Sequence, residues 1–508
     1  MKNLTRLALI LGLIAALSSS SLVGRKAVSH SEMRQASQSI SALRMKEKKE
    51  ALTARLENII PQLMREGDVP GLAISLIRDG KVFWQHPFGV VNAETKAPVT
   101  DSTVFEAASL SKPVFAYGVL KLVESGKLDP DTPLTKYLPG AYVENDERLN
   151  QITARRVLTH TTGFPNWRPR GGALKIHFTP GEKFSYSGEG FVYLQKVIEH
   201  LTGGPLDVYM KRAVFDPLGM TSSSYVWQDR YKSLKAFGHN PAGNVTEQRK
   251  PTEANAAASL NTTVGDYARF VLAVMNGTGL KKETARLMLT PQIKVDEACR
   301  NCIGRGSGRV SPSISWGLGW GLQHTDEGDA FWHWGDSNND VQCYIVAFPK
   351  QKLGLMVFTN SGNGHSIIPA IIKETIGGQQ PAIAWIGYEP YNSAARLLLK
   401  DILARGVAAI NEYLERRKSN PGAGVLNEDQ MNRLGYQLLG RKRVTEAIEV
   451  FKLNVADFPQ SSNVYDSLGE AYAAGGDKEM AIKNYQKSVE LNPQNENGIQ
   501  ALKKLRQQ

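Results

Sequence analysis

Leu52, Leu56, Ile59, Ile60 and Leu63 recur at helical spacing, and this apolar stripe predicts a helix that Gly67 and Pro70-Gly71 bring to an end. The next apolar runs are shorter. Leu72 to Ile77 and Val82 to Gln85 flank Asp79-Gly80, a dipeptide suited to a tight turn, and predict a β-hairpin. Helical stretches and long Gly- and Pro-rich loops fill the middle of the chain. There Thr263-Val264-Gly265-Asp266 makes a capping-box pattern, with Asp in its last place, ahead of the apolar-periodic segment Tyr267 to Met275. Strand signals return at Cys343 to Phe348 and Leu353 to Thr359. A helix, a hairpin, a helical middle and closing strands predict an α+β fold in which one antiparallel sheet, packed by helices, unites both ends of this stretch.

After about Gln380 strand signals stop, and Ala394 to Arg417 reads as one long helix ended by Asn420-Pro421-Gly422. Beyond it the chain repeats itself. Leu434-Gly435 matches Leu468-Gly469, Ala447-Ile448 matches Ala481-Ile482, Phe451 matches Tyr485 and Pro459 matches Pro493, at a spacing of about 34 residues. This resembles the tetratricopeptide repeat, a helix-turn-helix unit that stacks on its neighbours and implies a protein partner. Two repeats fall short of the usual minimum of about three, so the preceding helix or the rest of the chain is expected to cover the open end.

The N-terminus carries Lys2 and Arg6, an apolar run from Leu7 to Leu17 and small residues from Ser18 to Ser21, the layout of a secretory signal. It predicts export to a periplasmic or extracellular location, with membrane attachment only if the segment stays uncleaved. The expected division is a signal over 1–23, a polar tether over 24–50, a main domain over 51–380, a helical linker over 381–425 and helical repeats over 426–508. At 508 residues and 42% hydrophobic content, the chain can build a substantial core and more than one domain. The net charge of +12 favours anionic surfaces, but no aromatic-interleaved basic stripe accompanies it, so no nucleic-acid partner is expected. Cys299 and Cys302 form a lone C-x-x-C, open to a local disulfide or to a pair of free thiols, and Cys343 stands apart. Neither a four-cysteine set nor an H-E-x-x-H or H-x-H pair is present, so neither a metal nor another cofactor is expected.

The chemistry centres on Ser109 and Lys112, the only S-x-x-K in the chain. About two such matches arise by chance in a chain this long, so the setting decides. Pro113 suits a first helical turn, and Val114, Phe115, Val119, Leu120, Leu122 and Val123 follow it as a buried helix would require. Residues three apart on a helix share a face, so alcohol and amine can meet there. An amine serves as base only when its pKa falls, and both burial and a helix N-terminus disfavour ammonium. Three further segments stand out. Phe184-Ser185-Tyr186-Ser187-Gly188 offers a phenol for a proton relay, given a nearby cation that lowers its pKa. His333-Trp334-Gly335-Asp336 could hold a substrate carboxylate from an edge strand, with Gly335 allowing close backbone approach. Leu158-Thr159-His160-Thr161-Thr162-Gly163-Phe164-Pro165 reads as scaffold for the pocket.

S-x-x-K, then Tyr-Ser, then H-x-G before a closing strand resembles the serine β-lactamase and penicillin-binding-protein superfamily, nearest the branch of class C β-lactamases, D-peptidases and related esterases. Val69-Pro70-Gly71, Leu158 to Gly163 and Trp316-Gly317-Leu318-Gly319-Trp320-Gly321 add to the likeness, which covers about residues 50 to 380. It implies an α/β/α sandwich. It also implies that Ser109 is acylated, that Lys112 takes its proton and that Tyr186 shuttles a proton to the leaving group. His333, Gly335 and Asp336 would bind substrate, with the N–H groups of Ser109 and Asp336 as oxyanion hole. Two departures follow. Gly188 stands where the family's Y-x-N triad ends in Asn, and His333 replaces Lys, which points away from efficient β-lactam turnover and toward other amides or esters. The resulting expectation is an exported serine hydrolase acting on an ester, a D-amino-acid peptide or a lactam, with a small-molecule or peptidoglycan-like substrate. The alternative is a catalytically silent binder of muropeptides or of a partner on the same fold. An α/β-hydrolase is excluded because no G-x-S-x-G elbow occurs.

Overall fold

The computed structural model describes residues 47–140, 142–169, 172–304, 306–420 and 425–507. The signal segment over 1–23, most of the tether and Pro421-Gly422 lie outside the described residues. Helix α1 (Lys49–Gly67) buries Leu52, Leu56, Ile60 and Leu63, the stripe its spacing predicted, and Asp68 closes it with a left-handed φ of 54°. Strands β1 (Gly71–Arg78) and β2 (Lys81–Gly89) follow. Asp79 and Gly80 both take positive φ, 55° and 72°, as the mirror-image turn of a tight hairpin requires.

Two short strands, β3 (Phe105–Glu106) and β4 (Asn261–Thr262), pair with each other across the helical middle. Between and after them lie α2 (Ser111–Glu124), α3 (Gly188–Thr202) and α4 (Val264–Asn276). The chain then returns as β5 (Ile293–Asp296), β6 (Val310–Trp316), β7 (Gly321–Thr325), β8 (Gly328–Ser337), β9 (Val341–Phe348) and β10 (Leu353–Thr359), before α5 (Ile368–Glu374) and α6 (Pro381–Ile386). The main sheet has eight strands in the order β2-β1-β10-β9-β8-β7-β6-β5. Its pairings are antiparallel, and β1 beside β10 brings the start and end of the domain together.

Period-two alternation divides the core. Leu72, Ile74 and Leu76 of β1, with Tyr344, Val346 and Phe348 of β9, pack against α1, α5 and α6. Ala73 and Ile77, with Cys343, Ile345 and Ala347, pack against α2, α3 and α4. The result is an α/β/α sandwich whose central strands are buried on both faces, which is why β9 and β10 read as unbroken apolar runs. At α4 the expected capping box is half formed. Thr263 Oγ1 accepts the Asp266 N–H at 3.1 Å, but the Asp266 carboxylate turns to the Ser222 N–H at 2.7 Å and the Ser223 hydroxyl at 3.0 Å.

The single long helix expected over Ala394 to Arg417 is two, α7 (Ala394–Arg405) and α8 (Val407–Ser419), because Gly406 at φ 64°, ψ −145° reverses the chain between them. Then come α9 (Glu428–Gly440), α10 (Val444–Asp457), α11 (Ser462–Ala474), α12 (Lys478–Leu491) and α13 (Glu496–Gln507). The repeat has a steric cause. A Cβ on Gly435 would lie 2.4 Å from the Phe451 ring, and one on Gly469 would lie 3.1 Å from the Tyr485 ring, so each small residue admits the aromatic of its partner helix. Leu399, Ile402 and Ile410 of α7 and α8 join the same core, covering the open end of the stack.

Candidate active site

The turn carrying Ser109 is clamped before its helix begins. Ala107 N–H donates to Leu260 O at 2.7 Å. Ala108 then takes a φ of 47°, a left-handed value that costs a non-glycine residue about 1–3 kcal/mol and persists only where the surroundings impose it. Those surroundings are explicit. Ser111 Oγ donates to Ala108 O at 2.6 Å and accepts the Leu260 N–H at 2.9 Å, while Tyr225 and Tyr267 donate phenol hydrogens to Ser111 O and Leu110 O. Ser109 therefore sits in a 3-10 turn over Ala108–Leu110, just ahead of α2 rather than inside its first turn. Its side chain remains partly exposed, open to a reactant.

Lys112 is fully buried, and its Nζ lies 3.1 Å from Ser109 Oγ and donates to Ala257 O at 2.8 Å. Burial lowers its pKa from 10.5 to about 7, because taking an ammonium out of water penalises the charged form. The aromatic rings of Tyr186, Phe191 and Trp167 surround the amine, with Tyr186 at 4.8 Å. A neutral fraction is thus available at neutral pH.

Tyr186 corrects one expectation. Burial raises its phenol pKa, opposed only in part by Ser109, so the group stays protonated where a lowered value was expected. The cation meant to lower it stands 4.8 Å from the ring centroid, and burial brings its own pKa down to about 7, so it carries only part of a charge at neutral pH. The phenol therefore holds a proton at neutral pH and cannot serve as the resting base. Its backbone is fixed by the disulfide loop: Cys299 and Cys302 are bonded, with Cα atoms 5.6 Å apart, and Arg300 O accepts the Tyr186 N–H at 2.8 Å.

His333, Gly335 and Asp336 lie on β8, which is interior to the sheet and not the edge strand expected. Its pairing with β7 ends at Trp332, however, so along His333 to Ser337 the ladder continues with β9 alone. A Cβ on Gly335 would come within 2.4 Å of both Ala107 O and Cys343 Sγ, so only glycine lets the strand approach the nucleophile turn this closely. The Cys343 thiol donates to the same Ala107 O at 3.1 Å. The Asp336 carboxylate accepts from the Asn339 N–H, the Gln342 amide and the Tyr388 hydroxyl. His333 is not the cation a carboxylate clamp needs. Burial, reinforced by Lys112, pushes its pKa down to about 3, and its Nδ1–H donates to Trp334 O at 2.8 Å.

Several groups lay beyond sequence reasoning. His160, read as scaffold, takes a φ of 54° and stacks on Tyr186 with ring centroids 4.3 Å apart. Its Nδ1 accepts the Ser187 N–H at 3.0 Å, and burial, with Lys112 and His333 nearby, holds its pKa well below the ordinary value. The cleft at Ser109 encloses about 520 Å³ and is also lined by Asn166, Trp167, Asn255 and Asn261. Arg249 braces its wall through Glu106 at 3.0 Å and Asp340 at 2.5 Å. These partners are remote in sequence and carry no motif. Among the described residues, no group of His, Cys, Asp and Glu could hold a metal ion, and no helix is long and apolar enough to cross a membrane.

Comparison with known proteins matches residues 56–369, more than half the chain, to the Beta-lactamase family, and residues 462–495 to the Tetratricopeptide repeat. The chain is similar to penicillin-binding protein 4 of Amycolatopsis lactamdurans, 25% identical over 336 residues that span 62% of this chain and 87% of that protein. Among solved structures, the octameric penicillin-binding protein homologue of Pyrococcus abyssi superposes with a TM-score of 0.55 at 25% identity, covering 69% of this chain and 82% of that one. A class C beta-lactamase gives 0.56 at 19% identity, covering 66% and 99%.

Proposed function

Since the chain belongs to the Beta-lactamase family, we propose that it is an exported serine hydrolase that forms an acyl-enzyme on Ser109 and cleaves an ester, a D-amino-acid peptide or a lactam bond. The observation that carries this reading is Lys112 Nζ, buried and 3.1 Å from Ser109 Oγ. Neutral Lys112 takes the hydroxyl proton as Ser109 Oγ adds to the substrate carbonyl. The negative charge that develops on the carbonyl oxygen is received by the N–H groups of Ser109 and Asp336. When the tetrahedral intermediate collapses, the Tyr186 phenol gives its proton to the departing group and recovers one from Lys112. Water then releases the acyl group from Ser109 by the same relay. The helical repeats are proposed to hold a protein partner near a peptidoglycan-like substrate.

A fluorophosphonate probe tests the nucleophile. It is expected to label the folded protein at Ser109 and to leave Ser109→Ala unlabelled; an unlabelled wild type overturns the reading. Nitrocefin, p-nitrophenyl acetate and a D-Ala-D-Ala peptide then identify the bond, as the one whose turnover Ser109→Ala abolishes.

A further inference from the structure

A second cavity, of about 510 Å³, opens where the helical tail meets the sandwich, and it shares no lining residue with the Ser109 cleft. It lies on the other face of β8 and β9. Gly335 and its cross-strand partner Cys343 turn toward the nucleophile, so period-two alternation sends Asp336 and its partner Gln342 the opposite way, with Tyr344 and Val346. Gln342 lines the cavity, and so do three cations: Arg300 from the disulfide loop, Arg396 from α7 and Arg433 from α9. None of the three forms an ion pair among the described residues. The carboxylate in the wall, Glu389, accepts the Ser393 hydroxyl at 2.8 Å. At Arg396, Nη2 donates to Asn363 Oδ1 at 3.0 Å, while the Nε–H is buried without a partner and burial lowers the pKa of the group. A guanidinium held out of water with no counter-ion is costly, and an anion in the cavity removes that cost. His365, 4% exposed, contributes the opposite polarity to the same wall. Its Nε2–H donates to Cys343 O at 2.9 Å and burial pushes its pKa down, so Nδ1 is a buried acceptor without a donor.

We propose that this cavity is a second ligand site, separate from the Ser109 cleft, for a small molecule that carries both an oxyanion and a hydroxyl, such as a sugar phosphate or a hydroxy acid. The guanidinium groups of Arg300, Arg396 and Arg433 hold the oxyanion through charge-assisted hydrogen bonds, and His365 Nδ1 accepts from the hydroxyl. The cavity has room for a molecule larger than a bare ion. Arg300 and His365 belong to the sandwich, whereas Arg396 and Arg433 belong to the tail. A ligand bound by all four therefore fastens one part to the other.

The test is calorimetric titration of the whole chain with inorganic phosphate, citrate and sulfate at matched ionic strength and neutral pH. Phosphate or citrate is expected to bind with a Kd on the order of 1 mM or tighter. Sulfate has a similar size and charge to hydrogen phosphate but no hydroxyl, and is expected to bind about fivefold more weakly than phosphate. Tighter phosphate identifies a phosphoryl ligand and tighter citrate a carboxylate one. Arg396→Gln and Arg433→Gln should each weaken binding about tenfold, and Ser109→Ala should leave it unchanged. Arg433 is exposed, so its substitution keeps the fold even where Arg396→Gln disturbs it. Saturating ligand is also expected to bring the unfolding transitions of tail and sandwich closer together in scanning calorimetry, and to do so less in Arg433→Gln. No saturable binding of phosphate or citrate up to about 10 mM overturns the site. Affinity retained within about twofold in both arginine variants, equal affinity for phosphate and sulfate, or loss of binding in Ser109→Ala also overturns it.

Discussion

Lys112 shows how burial alone can make a base. Its pKa falls from 10.5 to about 7 with desolvation as the cause, so the neutral amine accumulates as pH rises through that value. On the proposed reading, kcat/KM rises over about pH 6 to 8 and then levels, a profile that pH-rate measurement checks. Linkage gives a second readout. The folded protein releases this proton near pH 7 and the unfolded chain near 10.5, so unfolding takes up a proton between those values and the lysine's contribution to stability rises with pH there. Below pH 7 the cost of burying the charge is fully present. Lys112→Met is therefore expected to raise Tm, and to raise it more at pH 6 than at pH 9, as calorimetry at the two pH values would show.

Secondary elements set distances that single residues cannot. Strand β8 lies against the Ser109 turn because Gly335 leaves no side chain between them, and the Cys343 thiol ties β9 to the same carbonyl. Gly335→Ala places a methyl group against Ala107 O, and neither that backbone atom nor the strained Ala108 can give way cheaply. A loss of about 1–3 kcal/mol in stability is expected, with reduced fluorophosphonate labelling of Ser109, measured by denaturant unfolding and by gel. The repeat helices allow a graded comparison. Alanine gains about 1 kcal/mol over glycine in a helix interior, which can offset the 3.1 Å contact at Gly469 but not the 2.4 Å contact at Gly435. Gly435→Ala is thus expected to lower Tm and Gly469→Ala to leave it nearly unchanged.

Among the described residues there are three hydrophobic cores, two on opposite faces of the sheet and a third within α7 through α13. The third meets the sandwich through polar contacts, including Lys400 Nζ to Glu66 O at 2.5 Å, Asn244 Nδ2 to Gly440 O at 3.0 Å and Arg441 to Pro241 O at 3.0 Å. Polar docking of separate cores couples their unfolding weakly. Differential scanning calorimetry is expected to resolve two transitions, and Gly435→Ala to move only the one belonging to the tail.

What the amino-acid sequence determined by itself is local: the apolar stripe of α1, the Asp79-Gly80 hairpin, the period of the repeats and the S-x-x-K spacing that brings Ser109 to Lys112. Each depends on residues close in the chain, where backbone geometry follows from residue type. Tertiary packing decided the rest. It ended the β7 pairing at Trp332, stacked His160 on Tyr186, kept that phenol protonated, discharged His333 and filled the space at Gly188 with Asn166 and Trp167. Desolvation and close approach depend on which remote segments arrive around a group, and spacing along the chain carries no record of that.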